Sequence, residues 1–474
     1  MDSSGYIEKF EVKVRADDVV EVRRLQGNQR RSAFDEYDLE LDNLRRDTIS
    51  VLVEMLRKDR LHDSDELKVL GGHLYEALFS EQVSTELMRS LNRNDPQVKL
   101  SKVELEFEEK QQELASWPWE YLFCPLRFRR AGTGKFLART SKLVLNRYVP
   151  LDSRNSLLVE KPPIKLLFVA ANPAKGDKLK SFSYTALLED LRELEKDKDL
   201  DSMLKVYTLV GENDETVATR EQFINMVEGI RPHVIHFVGH GKYEDGVGKI
   251  AFVGEPRWMS EEDLAERLYE VGSLRLVFLQ ACESARSSSH QAVSGVAMRL
   301  AHQGIPAVVA MQYEIESVVA NKFARAFYKA LAEFEDVDVA VQTGRGQLRN
   351  DLEKAGVSHE FGLPVLYLGE GGSLLSRSET RRLGTREPDA ASRSSVSCPW
   401  CNRDDAGGAS SRYCGKCGEF LKCPECGTRV EEPHNHCSEC GTPLLKRDRL
   451  DTSSRDRPDA GRPLTVDPTR DIRG

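Results

Sequence analysis

From residue 160 onward, short apolar runs alternate with stretches whose apolar residues recur at helical spacing. The runs are Lys165–Ala170, Val206–Val210, Val234–Val238, Leu276–Leu279, Ala307–Ala310 and Val365–Leu368. Near-continuous apolar runs of this length predict strands covered on both faces. Ser260, followed by Glu261, Glu262 and Asp263, predicts a helix start with a side-chain cap and acids in its first turn. After Glu316, Val319, Phe323, Phe327, Leu331 and Phe334 recur as one helical face. Strands alternating with helices predict an α/β sandwich with a mainly parallel sheet, whose chemistry sits at the carboxyl ends of the strands. The first 150 residues are more mixed. They predict strands at Phe10–Val14, 102–108 and 142–149 and helical stretches around 38–58 and 66–90.

Composition divides the 474 residues further. Residues 1–150 form an N-terminal α/β part and 151–370 the regularly alternating domain. Residues 371–397 hold seven Ser, five Arg and no aromatic residue, the composition of a flexible linker. Residues 398–445 carry eight of the ten cysteines. The segment 446–474, with Pro458, Pro463 and Pro468 among mixed charges, is expected to be a disordered tail. A chain that is 40% hydrophobic and 31% charged is neither wholly disordered nor fibrous. A net charge of -9 argues against a globally basic nucleic-acid coat. The longest apolar stretch, Gly295–Tyr313, is broken by Arg299, His302 and Gln303, so no membrane span is expected. The opening Met1-Asp2-Ser3-Ser4-Gly5 lacks a basic start and an apolar core, which argues against secretion. Cysteines crowded into one segment speak for a reduced, cytoplasmic setting rather than a disulfide scaffold.

Two of the apolar runs end in reactive residues. The run at 234–238 passes into Gly239-His240-Gly241, and the run at 276–279 into Gln280-Ala281-Cys282. On parallel strands, His240 and Cys282 leave the same edge of the sheet. An imidazole beside a thiol favours the nucleophilic thiolate and can protonate a leaving amine. The backbone N–H groups of Gly241 and Cys282 are candidates for stabilising an oxyanion. His236, inside the apolar run, reads instead as a hydrogen-bonded core residue. Asp245 either orients His240 or only occupies the loop after it.

The order of several segments resembles a CHAT domain, a caspase-like cysteine peptidase of the group that includes separases and caspases. The resembling segments are Gly71-Gly72-His73-Leu74-Tyr75, Trp117-Pro118-Trp119-Glu120, Val234–Gly241, Arg275–Ala285, Gly304–Gln312 and Phe323–Leu331. The chain departs in having Trp117 where Leu is common and in carrying no tetratricopeptide repeats. The resemblance implies a caspase-like α/β/α sandwich on a six-stranded sheet whose last strand is antiparallel. It also implies Cys282 as nucleophile, His240 as base, a protein substrate, and a setting such as bacterial conflict or cell death, including antiviral defence. Caspase relatives read one side chain before the scissile bond. Glu283 and Glu314, after strand ends, either favour a basic residue there or are solvated loop acids.

The C-terminal module reads Cys398-x-x-Cys401, Cys414-x-x-Cys417, Cys423-x-x-Cys426 and Cys437-x-x-Cys440. Each C-x-x-C turn presents two thiolates to one metal, and two such turns complete a closed tetrahedral site. Asn402, Gly418, Gly427 and Gly441 follow the second cysteines, residue types that tolerate a tight turn. Two structural Zn2+ ions in a double zinc ribbon are expected, and they would supply much of the folding free energy of so small a module. Residues 398–447 hold seven basic and seven acidic side chains, so a protein partner is favoured over nucleic acid. The whole reads as a regulated cysteine endopeptidase. The alternative readings are a non-catalytic caspase-like scaffold and a nucleic-acid or protein sensor acting through the ribbon.

Overall fold

The computed structural model describes residues 6–375 apart from 27–28, 59, 62–63, 93–97, 126–133, 152–155, 174–176, 198–202, 212–216, 282–288, 314, 316 and 353–358. Beyond 375 it describes 421–423, 428, 430, 436 and 444. The chain divides into two compact units, residues 1–383 and 384–474. No helix among the described residues is long and apolar enough to cross a membrane.

In the first unit the chain opens with β1 (Tyr6–Val14), β2 (Val19–Gln26) and β3 (Gln29–Asp38). There follow α1 (Asn43–Arg57), α2 (Ser64–Leu78), α3 (Glu81–Asn92), β4 (Val98–Phe107) and the single turn α4 (Gln112–Ala115). The short β5 (Phe123–Cys124) and β6 (Lys135–Phe136) pair with each other before β7 (Leu143–Tyr148). The alternating half begins with β8 (Ile164–Ala170), α5 (Thr185–Lys196), β9 (Leu204–Leu209), α6 (Arg220–Ile230) and β10 (Val234–Gly239). A three-stranded antiparallel sheet of β11 (Gly241–Glu244), β12 (Val247–Ala251) and β13 (Trp258–Ser260) interrupts it. The remainder is α7 (Glu261–Glu270), β14 (Leu276–Ala281), α8 (Ser289–His302), β15 (Ala307–Met311), α9 (Ser317–Ala332), α10 (Val337–Leu352) and β16 (Pro364–Leu368).

The main sheet has eleven strands in the order β3-β2-β1-β4-β7-β16-β15-β14-β10-β8-β9. The expected six-stranded sheet is therefore too small. From β9 to β16 six strands do stand in order, five parallel and β16 antiparallel to β15. The N-terminal strands extend the sheet past β16, because β7 pairs with β16 and carries β4, β1 and their hairpin with it. The β7–β16 ladder holds only two residue pairs. Arg345 of α10 reinforces it, donating to the Leu145 carbonyl at 3.1 Å and the Pro364 carbonyl at 2.7 Å. Backbone oxygens left over where two strands diverge thus gain buried donors.

Local signals behave as their chemistry requires. Ser260 Oγ accepts from the Asp263 N–H at 3.1 Å and caps α7. Phe323, Phe327 and Leu331 of α9 are buried, whereas Phe334 falls beyond the end of the helix. The helical stretch expected from residue 38 starts at Asn43, and the one at 66–90 is two helices parted at Phe79-Ser80. Residues 371–375, read as the start of a linker, pack instead against the first unit. Val337 N–H donates to the Gly372 carbonyl at 3.0 Å and Val159 N–H to the Leu374 carbonyl at 2.8 Å, and Leu374 and Leu375 are buried. The rest of that span, 376–397, lies outside the described residues, as does the tail 446–474.

Candidate active site

Parallel pairing aligns the ends of β10 and β14, with Val238 opposite Gln280 and Gly239 opposite Ala281. His240 follows β10 directly. Cys282 is next in the chain after Ala281 and lies outside the described residues, as do Glu283 and Glu314. Gly239 is required by packing: a Cβ there would stand 2.6 Å from the Phe237 ring.

His240 is buried, 1% exposed, and its two ring nitrogens have different surroundings. Nε2 lies 2.7 Å from the Lys180 carbonyl. A carbonyl only accepts, so Nε2 carries a proton there and the neutral ring keeps its lone pair on Nδ1. Nδ1 is buried with no hydrogen-bond partner among the described residues. Burial holds the imidazole below the usual histidine pKa, an effect the Lys180 carbonyl and Asp177 oppose and Arg257 adds to. The neutral, proton-accepting form is favoured at neutral pH.

The carbonyl that orients His240 is itself tightly held. Asn172, two residues past β8, accepts from the Phe182 N–H at 3.0 Å and donates to the Phe182 carbonyl at 3.1 Å. The Phe182 ring meets His240 edge-on with centroids 5.7 Å apart. At the other end of the same loop, Asp177 takes both guanidinium arms of Arg257 at 2.7 and 2.6 Å, which with the Leu179 N–H depresses its carboxyl pKa to about 2. The sequence reading did not include Lys180, Asn172 or Asp177. A backbone carbonyl leaves no signal in residue types, although Asn172 just beyond a strand's carboxyl end was visible. Asp245 does not orient the histidine. It is exposed and takes a positive φ of 55° beside Gly246 in the β11–β12 turn.

Gly241 begins β11 opposite Ile250. The Ala251 N–H donates to the His240 carbonyl at 2.8 Å. In an antiparallel ladder the next pair along is then a non-hydrogen-bonded one, which turns the Gly241 N–H away from β12. On its other side β11 is a sheet edge. This donor is therefore not used by the ladder.

His236 is a core residue, as its place in the apolar run implied. It stacks on Phe278 at 4.2 Å, and its nitrogens lie 3.0 Å from Tyr328 Oη and 3.2 Å from Gln280 Oε1. Full burial pushes its pKa down to about 3.

Of the eight C-terminal cysteines only Cys423 is described, and it is buried. Its N–H donates to the Thr428 carbonyl at 2.8 Å, and below it the Val430 N–H donates to the Leu421 carbonyl at 3.0 Å. Cys423, Val430 and Leu444 form a small apolar cluster. Cys398, Cys401, Cys414, Cys417, Cys426, Cys437 and Cys440 lie outside the described residues.

A large mixed sheet with helices, and a buried histidine at the carboxyl end of a central strand, is the frame of an α/β protein with a polar site at its sheet edge. The CHAT domain family model matches residues 68–391, more than half of the chain, and the protein belongs to that family. No curated protein matches its sequence. Among solved structures it is similar to the Saccharomyces cerevisiae separase–securin complex, with 12% identity, 78% of this chain and 30% of that chain covered, and a TM-score of 0.43. A second structure of that complex gives 11%, the same coverage and 0.38. The Porphyromonas gingivalis RgpB pro- and mature domains give 9%, 69% and 77% coverage, and 0.37. The chain thus spans under a third of the separase chain it matches.

Proposed function

We propose that the protein is a caspase-like cysteine endopeptidase using His240 and Cys282. The observation that carries this reading is His240 itself, with Nε2–H committed to the Lys180 carbonyl and a buried, proton-accepting Nδ1 at the end of β10. Family membership and the position of Cys282 in sequence, directly after the strand paired with β10, support it.

In this mechanism Nδ1 takes the Cys282 thiol proton, and the thiolate attacks the scissile carbonyl carbon. The resulting oxyanion is met by the N–H groups of Gly241 and Cys282. The C–N bond breaks as the imidazolium returns the proton to the amine leaving group. Water, deprotonated by Nδ1, then hydrolyses the thioester, releasing the acid and restoring the thiol. Because burial lowers the His240 pKa, the base form persists as pH falls, and the acid limb of kcat/KM is expected below 6.5.

Asn172 acts here as a positioning residue through the Lys180–Phe182 loop. Asn172→Ala is expected to lower kcat about 10–100-fold while KM changes less than about threefold. Asn172→Asp, which keeps the acceptor for the Phe182 N–H, should recover part of the loss. Equal kcat for wild type and Asn172→Ala would show that the loop holds the carbonyl without it.

The second unit is proposed to hold two zinc ions, with Cys398, Cys401, Cys414 and Cys417 in one site and Cys423, Cys426, Cys437 and Cys440 in the other. Zinc there supplies folding free energy, and the module docks a protein partner that regulates cleavage. Metal analysis should give two zinc ions per chain, with about one lost in Cys423→Ser. Absence of bound zinc would refute the ribbon. Unchanged activity and control after deletion of 384–474 would refute its regulatory part.

A further inference from the structure

A cavity of about 220 Å3 lies against α8 in the first unit. That is several times the roughly 30 Å3 a water occupies in the liquid. Its walls include Arg57 at the end of α1, Arg147 of β7, Tyr243 of β11, Gln312 and Tyr313 just past β15, and Met298 of α8. Among the described residues no lining side chain is acidic.

Most of its polar atoms are already committed. Arg147 is held by Glu120 at 3.1 and 2.7 Å and donates to the Ala115 and Trp117 carbonyls. The Gln312 amide donates to Glu120 at 2.9 Å and to the Gly362 carbonyl at 2.6 Å. Arg57 differs. Its buried Nε has no hydrogen-bond partner among the described residues. Among the described residues its nearest carboxylate, Glu54, stands 3.8 Å from Nη1 and is closer, at 3.0 Å, to Lys58. Glu120 therefore neutralises Arg147, whereas Arg57 and Lys58 share the single carboxylate of Glu54, which leaves positive charge in excess on the Arg57 side among the described residues. A buried, unpartnered N–H on a cation that shares its carboxylate with a second cation favours a carboxylate ligand, best held by charge-assisted hydrogen bonds.

The cavity opens outward, since the Arg57 side chain is 23% exposed and Tyr243 40%. It also borders the candidate site along the chain. β11 follows His240, α8 follows the segment that begins at Cys282, and Tyr313 follows the strand beside β14. A polypeptide bound at the dyad would run near these walls.

We propose that this cavity is a substrate subsite for an acidic side chain, Asp or Glu, with Arg57 as the residue that sets its preference. The proposal rests on the peptidase reading. It concerns a pocket other than the one before the scissile bond.

The test uses the full chain and a peptide library bearing Asp, Glu, Asn, Gln, Lys and Arg at each position around the cut. Wild type should show an acidic preference at one fixed position, with kcat/KM for Glu over Gln of ten or more. Arg57→Met should bring that ratio near one, Arg57→Lys should keep most of it, and Arg57→Glu should turn the preference toward Lys or Arg. Each ratio is internal to one variant, so partial misfolding cancels. Lack of any acidic preference, or a Glu/Gln ratio unchanged in Arg57→Met, overturns the subsite while leaving the peptidase intact. Cleavage identical in Cys282→Ala and wild type removes the peptidase reading and the subsite together.

Discussion

His240→Ala should lower kcat/KM for peptide hydrolysis by about 10³–10⁴-fold, and Cys282→Ala should reduce it to background. The size follows from what each group does. Without the imidazole, a thiol of ordinary pKa near 8.5 is only a few per cent thiolate at pH 7, and the amine departs without a proton. Without the thiol there is no nucleophile to acylate. The double variant should be no worse than Cys282→Ala alone, because the two groups act as a unit. His240→Asn makes a sharper control, since its amide can still donate to the Lys180 carbonyl but supplies no base. Activity in His240→Asn within about threefold of wild type would assign the base to another residue.

Glu120→Ala should destabilise the first unit by about 3–5 kcal/mol, because it strands the Arg147 guanidinium in the interior. Glu120 is 1% exposed and holds Arg147 and Gln312 together between β7 and the end of β15. Its attraction keeps Arg147 protonated against the desolvation that burial imposes. For a unit this large, thermal unfolding should fall by roughly 5–10 °C. Removing both charges, as in Glu120→Leu with Arg147→Met, should restore a large part of the loss, since well-packed apolar groups replace a buried ion pair at little cost. A midpoint in Glu120→Ala within 1 °C of wild type would show that the pair is not what holds this junction.

The same residues show how far the sequence could be read. Both Trp117-Pro118-Trp119-Glu120 and Gly304–Gln312 stood out as resembling segments, yet nothing in either says that Glu120 and Gln312 meet at 2.9 Å. Five of the six central strands announced themselves because both faces are covered, which makes each an unbroken apolar run, whereas β9, at the sheet edge, is buried only at Leu204 and Leu209. The hairpin of β2 and β3 did not announce itself. Val19–Gln26 mixes Val with Glu and Arg, and only Val20 and Val22 of that strand are buried, so its pairing depends on β1 rather than on its own pattern. The six-strand expectation came from the family resemblance; β1, β4 and β7 were legible as strands, but nothing in their sequence placed them in the same sheet beyond β16.

At the site, His240 was legible from its place after an apolar run and between glycines. Its orientation was not, since the acceptor is a peptide carbonyl sixty residues earlier, held by an asparagine on another strand's end. The electrostatics of the cavity were hidden in the same way. Charge counts place Arg57 and Arg147 among many arginines, and only their partners show that Arg147 has Glu120 to itself while Arg57 shares Glu54 with Lys58.

The most direct measurement compares new protein N-termini in cells expressing the wild-type chain and Cys282→Ala under the same induction. The account predicts discrete termini present with wild type and absent with Cys282→Ala, flanked by a recurrent residue pattern. Matching sets of termini from the two, with the zinc module's partner present, would contradict it and leave a CHAT domain that binds without cutting.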